Sequence, residues 1–450
     1  MSTGIASVEE REQINQDDTA LIVTGGPAAR ANHEFADWFS QLRFDGWETF
    51  QSLPMPVRTD EAWRFATIKA LDLTRFSKPQ KVGEERREDL IARSARVEEI
   101  AGRMIFANDR LLTREIRDHE LQRRGVIFDT IENAVREHES IFRDYFLKQE
   151  AVLGSRKFAA LHKAMVNSGA FLFVPKNVEI ELPLEVFHWL DGSGGSAFPH
   201  MLIVAGENSR VTLVEYFESS DPDSANFACG VNDLHLGAGA AVNYVNVQNW
   251  SRKTLSVQIG STSVARDANA LNLNLNFGAA YARTESASRL VGEGGRSDML
   301  AISVADGSQE FDQRTLQDHR SPNTASDLLY KNSLDDTART IFAGLIRVEP
   351  HAHRTDAYQK VRNLLLSDDA EANSMPGLEI MADEVRCTHG ATSGQIDTEE
   401  MFYLLSRGID KDASRRLIVF GFMDEVITRL KNPAVAGTLR ELLRQRFEQR

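Results

Sequence analysis

Two hydrophobic periods divide this chain. From residue 1 to about 168, charged residues surround apolar positions spaced for helices. Leu90-Ile91, Val97 and Ile100 form one such set, and Ile131, Ala134, Val135, His138, Ile141, Phe142, Tyr145 and Phe146 form another. Leu53-Pro54-Met55-Pro56 interrupts the texture as an irregular linker, and Glu61-Ala62-Trp63-Arg64-Phe65 follows it. From about residue 170 the period becomes two. Phe171-Leu172-Phe173-Val174-Pro175 leads to Val178-Glu179-Ile180-Glu181-Leu182, and Leu271-Asn272-Leu273-Asn274-Leu275-Asn276-Phe277 alternates at every step. Short β-rich runs, such as Met201-Leu202-Ile203-Val204 and Val242-Asn243-Tyr244-Val245-Asn246-Val247, fill the interval between glycine-bearing turns such as Gly292-Glu293-Gly294-Gly295. So long a region without helical period predicts an all-β domain. Many short rungs with Asn along one face favour a stacked solenoid over a sandwich. No repeat of fixed length is present, which counts against the hexapeptide variety.

After Asp397 the helical period returns. Asp397 or Thr398 suits an N-cap, acids follow in the first turn, and Gly408 suits the C′ position. A second helix carries Leu417, Ile418, Phe420, Met423, Val426, Ile427 and Leu430 on a broad stripe, with Pro433 as its stop. A third carries Leu439, Leu442, Leu443 and Phe447. Such stripes are buried either against the β domain or beneath a partner. The expected organisation is a helical domain over 1–168, a solenoid over 169–396 and a helical tail over 397–450.

Composition narrows the class. A hydrophobic content of 42% with 26% charged residues suits a soluble protein. The net charge of −14 argues against binding nucleic acid or an anionic membrane. No apolar run approaches the roughly 18 residues that span a bilayer. The acidic segment Met1 to Glu10 lacks the basic and apolar regions of a signal peptide. Two cysteines, Cys229 and Cys387, cannot build a disulfide framework. The expectation is a cytoplasmic, reduced protein. No P-loop, nucleophile elbow or paired Cys-x-x-Cys occurs, so no nucleotide site is expected on this chain itself.

The chemistry concentrates in Arg386-Cys387-Thr388-His389-Gly390-Ala391-Thr392-Ser393-Gly394. On a strand, residues i and i+2 share a face roughly 6.5–7 Å apart. Cys387 and His389 therefore present a thiol and an imidazole side by side, a pair suited to iron, copper or zinc. The plainer reading is a packed cysteine and a hydrogen-bonded histidine. His351-Ala352-His353 repeats the spacing on an expected strand, but no third ligand lies nearby, and a structural role is preferred there. An iron–sulfur cluster wants about four protein ligands, mostly thiolates. This chain could touch one only where another subunit supplies the remainder.

Cys387-Thr388-His389-Gly390-Ala391-Thr392-Ser393-Gly394, then Asp397 and Phe402-Tyr403-Leu404-x-Ser406-Arg407-Gly408-Ile409, closely resembles the C-terminal signature of the SufB/SufD family of iron–sulfur cluster assembly. Ala160-Leu161-His162-x-Ala164, running to Gly169 through Ile180, resembles the entry to that family's β-helix. Arg354 to Gln359 and Asn363 to Ser367 resemble its late rungs. Pro54 to Phe65 resembles the N-terminal motif of SufD-type members. SufB-type chains carry a cysteine near the position of Val361-Arg362-Asn363, and Glu-His-Glu-Ala-Thr where this chain reads Thr388-His389-Gly390-Ala391-Thr392, so the resemblance is to the SufD type. Ser367 and Ser393 depart from the family's Gly and Val, both small changes.

The resemblance implies a right-handed parallel β-helix between helical domains and a non-catalytic scaffold role. It implies partners, a SufB-type subunit met edge to edge at the last rungs and the SufC ATPase met by the C-terminal helices. A transient cluster or iron would be shared with SufB, with His389 first and Cys387 second as ligand or iron-entry residues. Phe402, Tyr403, Arg407, Phe420 and Met423 are the candidates for docking SufC. The rivals are a SufB-like homodimer that binds cluster by itself and a carbohydrate-active enzyme on a β-helix. The latter needs clustered acids that the sequence does not display.

Overall fold

Alternation along the chain builds two long sheets. The computed structural model describes residues 22–27 and 36–448; the reading of Met1 to Glu10 lies outside the described residues. One sheet runs from the hairpin Gly102–Ala107/Arg110–Ile116 through Leu184–Leu190, Arg210–Ser219, Ala241–Asn249, Asn269–Asn276, Arg296–Ala305, Ala325–Leu334 and Asp356–Leu365 to Arg386–Gly394. The other runs from Ile127–Thr130 through Ala170–Val174, His200–Ala205, Phe227–Leu236, Leu255–Val264, Tyr281–Leu290, Glu310–His319 and Arg339–Val348 to Glu371–Ile380. From Leu184 onward, successive strands of a sheet pair in parallel while the chain alternates between sheets. The result is a parallel β-solenoid of about eight turns with helices at both ends of the chain, the fold class expected above. Turn length drifts from 27 residues, Asn269 to Arg296, to 31, Ala325 to Asp356, which is why no fixed repeat shows in the sequence.

The cleanest alternation faces the opposite way from a simple inside-out rule. Leu273, Leu275 and Phe277 are buried beneath the C-terminal helices, against Val419, Met423, Val426 and Ile427. Their Asn neighbours face the solenoid interior: Asn272 Nδ2 donates across it to Thr262 Oγ1 on the facing sheet at 3.2 Å, and Asn276 Nδ2 donates along its own sheet to Ser303 Oγ on the next strand at 3.2 Å. This polar interior continues along the axis. Gln313 Nε2 donates to Asn332 Oδ1 (3.1 Å), Asn332 Nδ2 to Asn363 Oδ1 (2.7 Å) and Asn363 Nδ2 to Ser393 Oγ (3.1 Å), which lies on the last coil. Buried side-chain networks of this kind fix register because an unpaired member is costly.

The region before residue 169 holds strands as well as helices. Its helices include Asp37–Ser52, Glu84–Arg93 and Arg156–Met165. Val97 and Ile100, expected on a helix, lie in the turn beyond Arg93, because the next apolar run, Met104-Ile105-Phe106-Ala107, is captured as a strand against Leu184–Leu190. His162 is wholly buried; its Nδ1 meets Cys229 O at 2.8 Å and its Nε2 meets His200 Nδ1 at 3.0 Å. Cys229 is equally buried, its thiol pushed up by desolvation, so it is a packed thiol. Trp63 is seated by Arg283, whose guanidinium lies 3.8 Å over the indole ring.

One buried carboxyl makes stability depend on pH. Asp233 is 2% exposed and its Oδ2 has no hydrogen-bond partner among the described residues, and burial raises its pKa to about 7, against the partial relief of Arg289. A raised carboxyl pKa means that the fold holds the proton more tightly than the unfolded chain does. Its cost is absent near pH 4 and grows as pH rises through 7. Asp233→Asn is therefore expected to add about 2–4 kcal/mol at pH 8.5 and little at pH 4.5, by denaturant titration at both values. An equal gain at both would contradict the titration.

The three C-terminal helices are Thr398–Ser406, Lys411–Ile427 and Pro433–Glu448. Asp397 caps the first, accepting from Glu399 N–H at 2.7 Å, and Gly408 takes the left-handed φ of +84° just past its end. Pro433 opens the last helix instead of stopping the second, which already ends at Ile427; a missing N–H costs nothing in a first turn. Among the described residues, no helix is long and apolar enough to cross a membrane.

Candidate functional site

The solenoid stays open where the chain leaves it. Glu310–His319 is buried at every position, whereas on Arg386–Gly394 only Cys387 is even partly covered. Arg386–Gly394 and Glu371–Ile380 each form the edge of their sheet, and no described strand lies beyond either. Pro376 sits in the second of these edges, where a missing N–H is tolerated.

Register places the two donors. Cys387, His389, Ala391 and Ser393 stand over Ala357, Gln359, Val361 and Asn363, all four buried. Tyr358, between them, is 52% exposed. Cys387 and His389 thus occupy the inward column of a coil that no described strand or helix covers. Opposite, Leu378 and Ile380 stand over buried Ile346 and Val348, yet are 38% and 42% exposed. The last coil is half of a core, with aliphatic groups from one sheet and a thiol and an imidazole from the other.

The donors differ in character. Cys387 packs against Ile346, Val348, Ala352 and Ala357. Desolvation raises its pKa, and Asp356 raises it further, both against the thiolate. His389 is exposed. Directly beneath it, Gln359 is 2% exposed and both amide atoms lack a hydrogen-bond partner among the described residues. Each buried unpaired group costs about 1–3 kcal/mol. Gln359→Leu is expected to stabilise the chain by about 1 kcal/mol or more in urea titration; a loss of stability would mean that the amide is bonded in the folded chain.

Other expectations fall elsewhere. His351 and His353 lie in a turn, not on a strand; His353 Nδ1 meets Asp383 O at 3.3 Å. Among the described residues, no group of three or more His, Cys, Asp or Glu side chains could hold a metal. Phe402 and Tyr403 are 71% and 57% exposed, with the Arg407 guanidinium 5.2 Å over the Tyr403 ring. Phe420 is half-buried against the solenoid. Met423, expected on a docking face, is wholly buried in the chain's own core because the stripe of its helix packs on Leu273, Leu275, Leu300 and Ile302. Leu378, Ile380 and Gln359 were not singled out from sequence. The alternation Pro376-Gly377-Leu378-Glu379-Ile380 was their available signal.

This geometry defines a class: a parallel β-solenoid whose last coil is an open half-core bearing two metal-capable donors. Residues 188–422 match the family model for the SUF system FeS cluster assembly SufBD core domain, and residues 28–186 that for the SufBD protein N-terminal region. The chain is 31% identical over 426 residues to the iron-sulfur cluster assembly protein SufD of Bacillus subtilis, covering 92% of this chain and 95% of that one. It is 28% identical over 307 residues to an iron-sulfur cluster assembly SufBD family protein of Staphylococcus epidermidis, covering 68% and 66%. Against one from Staphylococcus aureus it is 24% identical over 398 residues, covering 86% and 85%. The chain belongs to the SufBD family of iron–sulfur cluster assembly proteins.

Proposed function

We propose that this chain is a cytoplasmic, non-catalytic scaffold subunit of SufD type, joined to a SufB-type subunit and to the SufC ATPase. The observation that carries the reading is the uncovered last coil with His389 and Cys387 on its inward column. Unpaired strand edges template another chain unless they are covered, and exposed Leu378 and Ile380 give this edge an apolar reason to be covered. A cluster or iron held there is cargo. Two donors from this chain leave about two of its four ligand positions to the partner, so the site is shared. His389 leads as ligand or iron-entry residue because it is exposed; Cys387 first has to lose its proton in a half-buried place. Amide hydrogen exchange tests the junction. Addition of the SufB-type subunit should protect Arg386–Gly394 and Glu371–Ile380, and unchanged exchange would refute the pairing.

The SufC surface is proposed at the exposed residues of the C-terminal helices: Phe402, Tyr403 and Arg407, with Phe420 at the margin. Large exposed aromatics on one helix are unusual for a free surface and common in interfaces. Tyr403→Glu should weaken SufC binding at least about tenfold with an unchanged unfolding midpoint, since interface aromatics often exceed 2 kcal/mol. Met423→Glu should instead destabilise the chain. Tight SufC binding by folded Tyr403→Glu would remove this face from the proposal.

A further inference from the structure

The outer face of the open coil carries a charge pattern of its own. On Asp356–Leu365 the outward column includes Lys360, Arg362 and Leu364, and register sets Gly390, Thr392 and Gly394 of the edge strand directly over them. A side-chain carbon added at Gly390 or Gly394 would meet no atom within 4 Å, so the outward face of the last strand is nearly bare backbone. Phe422 of helix Lys411–Ile427 walls the groove, whose volume is about 320 Å³.

Cations outnumber anions in it. Lys331, one strand further back, is buried and satisfied: its Nζ donates to Phe422 O at 2.6 Å and to Glu425, and lies 4.3 Å over the Phe422 ring. Glu425 is thereby taken, and Arg362 reaches it only at 4.0 Å, the outer limit of an ion pair. Lys360 is exposed and has no hydrogen bond or ion pair among the described residues. Burial lowers the Lys331 pKa, and repulsion from Arg362 and Lys360 lowers it further, so the three cations share one field. One carboxylate among three cations leaves a positive groove on a chain whose net charge is −14.

Strand spacing decides what reaches this groove. A strand paired to Arg386–Gly394 would lie two spacings, about 9.5 Å, from Asp356–Leu365. Directly opposed residues on paired strands share a face, so the outward side chains of that strand enter the groove. Over Gly390 no side chain stands between them and Lys360. The extended arms of a lysine and a glutamate together bridge the gap. Outward acids would be matched there, and outward cations repelled.

We propose that the partner strand covering this edge carries acidic side chains on its outward face, seated against Lys360 and Arg362. The inference rests on the edge-pairing reading above and adds the chemistry of the partner's strand.

The test is calorimetric titration of the full chain with the SufB-type subunit at two ionic strengths, with amide exchange at Arg386–Gly394 read in the same mixtures. The wild type should protect the edge and bind more weakly at the higher salt. The double variant Lys360→Glu with Arg362→Glu should bind at least about tenfold more weakly at low salt, because like charges facing across an interface are strongly disfavoured. Unfolding midpoints confirm that it is folded; should it not fold, Lys360→Glu alone decides, since that side chain is exposed. Edge protection in the wild type with equal affinity in the folded variant would overturn the acidic strand and leave the pairing intact. No edge protection in the wild type would overturn both.

Discussion

Replacing His389 by alanine is expected to leave the chain folded and its complex assembled, while the cluster recovered with that complex falls at least about tenfold. The imidazole is exposed on the last coil, outside the buried core. Surface changes of this kind usually stay within about 0.5 kcal/mol. The loss of cluster has a separate cause. Even outer partners of a metal ligand are worth about 10–100-fold in affinity, and a ligand is worth no less. Cys387→Ala should have the smaller effect, because burial and Asp356 already disfavour its thiolate. Iron and acid-labile sulfide per complex, measured after anaerobic purification, read both variants. Normal cluster content in His389→Ala would remove the histidine from the site.

The largest effect on stability is expected at Arg283. Its side chain is fully buried, pairs with Asp312 and, at 2.8 Å, with Glu285, and donates to Ala62 O at 2.9 Å and Leu153 O at 2.8 Å. It therefore ties the solenoid flank to the segment that carries Trp63. Arg283→Met keeps most of the volume but leaves two buried carboxylates with one cation fewer, Arg314 remaining on Asp312. Removing one partner from a buried ion pair costs about 3–5 kcal/mol. Unfolding followed by tryptophan fluorescence should show that loss. A change under about 1 kcal/mol would mean that the network is hydrated and loosely held.

The solenoid was legible because period-two spacing persists over many short runs, and the C-terminal caps were legible because Asp397 and Gly408 do local chemistry that needs no tertiary context. Which face of an alternating strand points inward was not. Leu273 and Leu275 face outward only because the C-terminal helices cover them, and Asn272 and Asn276 are tolerated inside only because Thr262 on the facing sheet and Ser303 on the next strand offer partners. The strand Gly102–Ala107 was hidden for a related reason: a run buried on both faces has no period to read. Cys387 and His389 lie on one face of their strand, a relation that i, i+2 spacing alone fixes. Their partners Gln359, Leu378 and Ile380 lie one coil away or on the opposite sheet, a relation that only turn length sets.

The central claim is that this chain holds half of a shared site. Anaerobic reconstitution with iron and sulfide, read as bound iron per chain, compares the isolated protein with its complex with the SufB-type subunit. Cluster in the complex and none on the isolated chain is the predicted result. Equal cluster on the isolated chain would contradict the claim and favour a self-sufficient homodimer.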